Sequence, residues 1–140
     1  MRRLPLLATI VCTFALALVS AGCGADYSDL FLVRRTGVLP DADVQIVVND
    51  GGTISCDRGE FRELPSRMLL DGRDIMRSLR EDLEFGKVHP RAPNAQLRFR
   101  IDAPDGTISF SETDGAHDED LARLVQLVRE LSQQMCGLAR

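Results

Sequence analysis

The sequence predicts an α+β fold with about five mostly antiparallel strands and two amphipathic helices on one face of the sheet. Three observations support this prediction. Residues 97–102 alternate between apolar and polar side chains, as a half-buried strand does. Residues 49–52 and 103–106 have the Asn, Asp, Pro and Gly composition of hairpin turns. Residues 65–85 and 118–136 instead repeat apolar side chains every three or four positions, which is the helical period.

Three strands are predicted in the first half of the chain. Residues 30–36 and 44–48 are rich in Val, Leu and Ile, and residues 53–56 return from the first hairpin turn. Alternation within the third strand places Ile54 and Cys56 on the same face. If that face covers the core, the thiol of Cys56 points inward.

The first helix is predicted to begin near Pro65 or Ser66 and to end before Gly86. Gly72 lies inside it, and two interpretations remain open. The glycine permits close packing on the sheet, or it marks a break after which Asp71 caps a second half.

The second half of the chain adds two strands and the last helix. Strands at residues 97–102 and 107–112 flank the second hairpin turn. The acidic residues 118–120 favour a helix start there, because they lie at the positive end of the helix dipole. Cys136 is at the edge of the apolar stripe of this helix. A helix lying on the sheet could therefore bring Cys136 against Cys56.

The first 22 residues have the layout of an export signal. Arg2 and Arg3 precede an uncharged apolar run at residues 4–19, and the small residues 20–22 follow. An uncleaved membrane anchor is the alternative, since the run approaches the roughly 20 apolar residues that span a bilayer. Both interpretations place the body of the protein outside the cytoplasm.

The segment around Cys23 is similar to a known sequence motif. Residues 18–24 read LVSAGCG, which resembles the lipobox of bacterial lipoproteins. The resemblance implies that Cys23 receives a diacylglyceryl group, that the chain is cut before it, and that the new amine is acylated. It divides the chain into a lipoprotein signal peptide (1–22), a short lipidated lead (23–29) and a single globular domain (30–140). Two acyl chains are enough for stable attachment to the outer face of the cell membrane.

The four cysteines then leave one pair. Cys12 lies in the signal and Cys23 in the lipobox, so Cys56 and Cys136 remain. In an oxidising compartment they predict one disulfide. A metal pair or a catalytic thiol is the alternative, which the distance between them in sequence and the lack of a nearby histidine disfavour.

The charge disfavours one class of partner. The chain has 21 acidic and 17 basic residues and a net charge of −4, which argues against nucleic acid. The same balance gives no attraction to anionic lipid head groups, so membrane contact depends on the lipid at Cys23.

No catalytic residue, metal or cofactor is assigned. Only His89 and His117 could act as histidine bases, and the serine hydrolase and zinc protease motifs do not occur. The acids at residues 114–120 could hold calcium, but their spacing does not match an EF-hand loop, and the helix dipole explains them.

Arginines supply the candidate ligand face. Arg98 and Arg100 share one face of their strand, and Arg34 or Arg35 joins them if the first strand pairs nearby. Such a row could hold an anionic ligand or cell-wall carboxylates by forked hydrogen bonds. The alternative is an ordinary solvated sheet face.

A wider resemblance covers most of the chain after the signal. The lipobox, residues 29–37, the hairpin and strand at 49–56, and residues 136–140 resemble a family of uncharacterised small lipoproteins of actinobacteria. The resemblance implies an exported, lipid-anchored domain with one disulfide, and it implies no activity.

The leading functional hypothesis is a noncatalytic binding or envelope-interaction module. It would contact the membrane through the lipid on Cys23, with an envelope protein or a cell-wall ligand as its partner, whose identity and any oligomeric state the sequence does not indicate. A secreted-type protease inhibitor and a small hydrolase are the alternatives.

Overall fold

A computed structural model describes residues 28–139, which form a six-stranded antiparallel sheet and three α-helices. The predicted α+β class is confirmed, and the strand count is six instead of about five. The strands are β1 (Asp29–Gly37), β2 (Val44–Asn49), β3 (Thr53–Cys56), β4 (Arg62–Glu63), β5 (Leu97–Ala103) and β6 (Gly106–Ser111). The helices are α1 (Ser66–Ser78), α2 (Arg80–Glu84) and α3 (Glu119–Glu130). The signal segment, Cys23 and the lead up to residue 27 lie outside the described residues.

The order of the sheet is β4-β3-β2-β1-β5-β6, so β1 lies between two hairpins. Because β2 and β5 both run antiparallel to β1, their hairpin turns lie at the same end of the sheet. We call this the hairpin end, defined by residues 50–52 and 104–105. The opposite end, which carries the β1–β2 loop at residues 38–43, is the far end.

β4 is the additional strand, a short strand at the edge of the sheet that the sequence did not predict. Residues Arg62–Glu63 pair with Thr53 and Ile54 of β3. A two-residue strand of charged side chains has no alternation to recognise, and it forms only because β3 offers an unpaired edge.

The helices cover one face of the sheet and enclose the core. Strands alternate, so every second side chain faces the helices, while the face opposite the helices carries mostly polar and charged side chains. An ion pair of 2.8 Å between Arg67 and Glu130 links α1 to α3. The largest core side chains are Phe31, Phe99, Phe110, Ile46, Ile54, Ile101 and Ile108 from the sheet, and Met68, Ile75, Leu83, Leu121 and Leu124 from the helices.

The structure decides between the two interpretations of Gly72. A Cβ at this position would lie 3.1 Å from Cε1 of Phe31, so the glycine allows α1 to approach the sheet closely. The helical stretch does break, but at Leu79, which separates α1 from α2. The single helix predicted for residues 65–85 is therefore corrected to two helices. The second one places Leu83 against the β5–β6 turn, where its carbonyl meets Gly106.

The predicted disulfide is confirmed. Cys56 and Cys136 are bonded, with their Cα atoms 5.7 Å apart. α3 ends at Glu130, and a π-helical turn, Leu131–Met135, carries the chain on to Cys136. The bond thus joins β3 to the end of the last helical segment.

None of the helices formed by residues 28–139 combines the length and the apolarity that a membrane crossing needs.

Candidate functional site

The strand pairing brings Arg34 and Arg100 together, and the alternative that Arg35 joins this face is wrong because Arg35 is on the buried side of β1. Arg34 of β1 and Arg100 of β5 are direct register partners on the sheet face opposite the helices. Their side chains are 49% and 53% exposed, so both guanidinium groups reach solvent. Two like charges directly opposite each other on neighbouring strands repel, so this pair needs an anion nearby.

Asp102 supplies one carboxylate to the two guanidinium groups. Its Oδ2 accepts a hydrogen bond of 2.5 Å from Arg34, and its Oδ1 lies 3.0 Å from Nη2 and 3.1 Å from Nε of Arg100. Thr107 of β6 donates a further bond of 2.9 Å to Oδ1. We call Arg34, Arg100 and Asp102 the arginine clasp. It carries one more positive than negative charge.

The clasp changes the titration of Asp102. Partial burial would raise the pKa of this carboxyl, but the hydrogen bonds from Thr107 and Arg100 and the charges of Arg100 and Arg34 outweigh it, so the pKa is lowered from 3.8. Because the folded pKa lies below the unfolded value, the stabilisation is complete above the unfolded pKa and is lost as the pH falls through the folded pKa.

We therefore expect an acid-dependent difference between the wild type and Asp102→Asn. At neutral pH the variant should unfold at lower urea, and the gap in the free energy of unfolding should narrow as the pH falls below 3.8. Urea unfolding at a series of pH values measures it. A gap that stays constant across the acid range would contradict the assigned titration.

Arg98 has a different environment from the clasp. Its Nη2 donates to the carbonyl of His89 at 3.1 Å, and its Nη1 lies 3.4 Å from Oγ of Ser111. Arg98 is half-buried, and its contacts tie β5 to the connection at residues 85–96 that precedes it. Its role here is to hold that connection in place.

The same connection reduces the exposed area of the sheet face opposite the helices. Val88 forms a parallel bridge with Ser109, and His89 donates its N–H to the Ser109 carbonyl at 2.8 Å. Ser109 and Ser111 are buried although both are on the face opposite the helices. The exposed part of this face is thus centred on β1, β2 and the clasp. Nε2 of His89 is buried and has no hydrogen-bond partner among residues 28–139.

Sequence reasoning did not identify a cavity beside α3. It has a volume of about 200 Å³ and opens near the far end of the sheet. Typical ligand pockets measure about 300–1,000 Å³, so this cavity is smaller than most of them. Its apolar walls are Leu39, Leu97, Phe99, Val125 and Val128, and its polar lining is Arg35, Gln96, Glu112, Arg129 and Gln133.

Arg35 is the buried charge at this cavity, with only 3% of its surface exposed. Its Nε and Nη2 donate to the carbonyls of Ala42 and Asp41 at 2.8 and 2.7 Å, and its Nη1 donates to Oγ of Ser132 at 3.1 Å. Removal from water lowers the pKa of Arg35, while nearby carboxylates, including Asp41, oppose this. These contacts show that Arg35 joins the β1–β2 loop to the π-helical turn that follows α3.

A signal for Arg35 was present in the sequence. Phe31 and Val33 face the core, and Arg35 is the next residue with the same spacing of two. A charged residue on the buried face of a predicted strand indicates a polar network inside the fold.

The residues that line the cavity include no histidine, serine or cysteine. His117 is exposed and His89 lies beside β6, so neither histidine reaches the cavity. Asp114 and Asp118 of the acidic cluster accept backbone N–H groups, from Ser111 and from the first turn of α3 respectively. Within residues 28–139, no group of three or more metal-ligating side chains is gathered.

These features define a small α+β domain with helices on one face, one disulfide and a charged, partly open sheet face. Comparisons with models of protein families, with curated proteins and with solved structures found no match.

Proposed function

We propose that this chain is an exported lipoprotein, anchored through Cys23 to the outer face of the cell membrane. Its folded domain is a noncatalytic binding module that holds an anionic group of an envelope protein or a cell-wall polymer. The observation that carries the binding function is the arginine clasp, where two guanidinium groups share one carboxylate.

The disulfide supports the proposed compartment. Bonds such as Cys56–Cys136 form and persist in oxidising environments outside the cytoplasm and are rare inside it. The position of Ser28 supports a short tether. Residues 24–27 separate it from Cys23, and even fully extended the chain from Cys23 to Ser28 reaches only about 17 Å.

The geometry of the clasp supports recognition of an anion. Asp102 receives Nη1 of Arg34 and the Nε and Nη2 edge of Arg100, so it orients both side chains. Each guanidinium group has five N–H donors in a planar fork, and one carboxylate cannot use all of them. A second carboxylate or a phosphate would meet oriented donors and neutralise the excess charge, and such charge-assisted bonds are the strong ones.

The anchoring is tested by intact-mass analysis of the protein from membranes of its native host. We expect a chain that begins at Cys23 and carries the mass of a diacylglyceryl group. The Cys23→Ser variant should lack this mass. An unmodified chain that begins at Met1 would overturn the proposal.

The binding function is tested with purified peptidoglycan fragments that carry free carboxylates. Arg34→Ala should weaken binding at least about tenfold, because a hydrogen bond to a charged group contributes about 1.5–3 kcal/mol. Isothermal titration calorimetry measures this effect. Arg34→Lys should recover only part of the affinity, since an ammonium group lacks the planar fork.

Arg77→Ala is the matched control for that experiment. Arg77 is also an exposed arginine in an ion pair, with Asp74 at 2.9 Å, but it lies on α1. We expect the Arg77→Ala variant to bind the peptidoglycan fragments with the affinity of the wild type. Equal losses in the Arg34 and Arg77 variants would show that the effect is one of net charge and would contradict a site at the clasp.

A further inference from the structure

We infer that the hairpin end of the domain faces the lipid bilayer and that Phe85 contacts the lipid surface. This inference rests on the proposed lipid at Cys23. In this orientation the strands run away from the bilayer, so the sheet face that carries the arginine clasp stays open to partners beside the membrane.

The place where the chain enters the fold carries the first step. The Asp50 N–H donates to the carbonyl of Ser28 at 3.0 Å, which holds the start of the described chain at the β2–β3 turn. Arg73 of α1 holds the same turn, with Nε 2.7 Å from Oδ1 of Asp50 and Nη2 2.8 Å from its carbonyl. The described chain therefore enters the fold at the hairpin end.

The length of the tether carries the second step. Residues 24–28 place the hairpin end within about 17 Å of the lipidated residue. β1 has nine residues, so the far end lies about 30 Å further along the strands. The far end could reach the bilayer only if the domain lay flat.

The surfaces on which the domain could lie flat carry charged side chains, although α1 also exposes one large apolar side chain, Leu70, at 58%. The open sheet face carries the charged clasp, and the outer side of α1 carries exposed charges such as Arg77 and Asp74. Burying these groups against lipid would cost their hydration. An upright domain avoids that cost.

Phe85 gives the hairpin end an apolar contact. It follows α2 directly, and α2 is held at this end by the contact of Leu83 with Gly106 and by an ion pair of 3.5 Å between Arg80 and Asp105. Phe85 is 79% exposed, the highest value among the large apolar residues that the structure describes.

Ion pairs neutralise three of the acids at the hairpin end. Arg73 pairs with Asp50, Lys87 with Asp82 and Arg80 with Asp105, whereas Glu84 beside Phe85 forms no ion pair within residues 28–139. Paired carboxylates repel a lipid surface less than free ones, so an aromatic side chain beside them can rest at the interface.

Single tryptophan reporters test the orientation, because the chain has no tryptophan of its own. Phe85→Trp and Val38→Trp form a matched pair, since Val38 is 72% exposed at the far end. The lipidated proteins are placed in phosphatidylcholine vesicles with brominated acyl chains. Interfacial side chains sink about 5–10 Å into the headgroup boundary, so the Trp at position 85 should lose at least about half of its emission. The Trp at position 38 should lose none.

Thr36→Trp completes the test by reporting on the open sheet face. Quenching at position 36 or 38 equal to that at position 85, or no quenching at any of the three, would overturn the orientation. The intact mass of each sample is measured as well. A sample without lipid overturns the anchoring and this inference with it, whereas a lipidated sample with the wrong quenching overturns the orientation alone.

Discussion

Replacing both Cys56 and Cys136 with serine is expected to lower the free energy of unfolding by about 4 kcal/mol. The bond joins positions 80 residues apart, so it removes a large amount of conformational freedom from the unfolded chain. In the native state it clamps β3 to the helical end of the chain, where Arg62 also hydrogen-bonds the Met135 carbonyl.

Urea unfolding monitored by circular dichroism measures this change. The wild-type protein in excess reductant serves as the control, since it loses the same bond without a change of sequence. Both samples should unfold at a lower urea concentration and by a similar amount. A loss below about 1 kcal/mol in both would mean that the unfolded chain gains little freedom, contrary to the chain-entropy model.

Gly106→Ala is expected to destabilise the fold by at least about 3 kcal/mol, from overpacking and backbone strain together. An added Cβ would lie 2.1 Å from the carbonyl oxygen of Leu83 and 2.7 Å from its carbonyl carbon. Both are backbone atoms, so α2 itself would have to move away from the β5–β6 turn. The φ of Gly106 is +141°, which a residue with a Cβ rarely adopts.

Gly86→Ala separates the two causes. Gly86 also has a positive φ, of +62°, but a Cβ there would meet no atom within 4 Å. This variant should lose only the roughly 1–2 kcal/mol of a left-handed residue. Thermal and urea unfolding of the two variants measure the difference. Equal losses would mean that the contact with Leu83 adds nothing to the strain of the backbone.

Much of the local structure follows from the order of residues. Alternation predicted the strand at 97–102, and turn composition predicted the two hairpins, because both patterns depend on neighbours in the chain. The break at Leu79 was not predictable in this way. Nothing in the apolar period changes there, and the helix that follows the break contacts Gly106, which is 23 positions after Leu83.

The candidate site was likewise only partly predictable from the sequence. Alternation alone places Arg98 and Arg100 on one face, yet only Arg100 belongs to the clasp. Arg98 is drawn into contact with His89 by a connection whose path no periodicity describes. Arg35 was visible as a charge on the buried face of β1, but its partner Ser132 is 97 residues away.

The sequence by itself determined the fold class, the two hairpins, the cysteine pair and the alternation of buried and exposed side chains at residues 97–102. These properties arise from spacing along the chain, from turn chemistry and from the count of cysteines left to pair. Only the tertiary structure decided that β1 lies between β2 and β5, and so that Arg34 meets Arg100 and Asp102. Strand order depends on contacts between residues far apart in the chain, such as the 68 positions between Arg34 and Asp102. Spacing along the chain carries no information about such contacts.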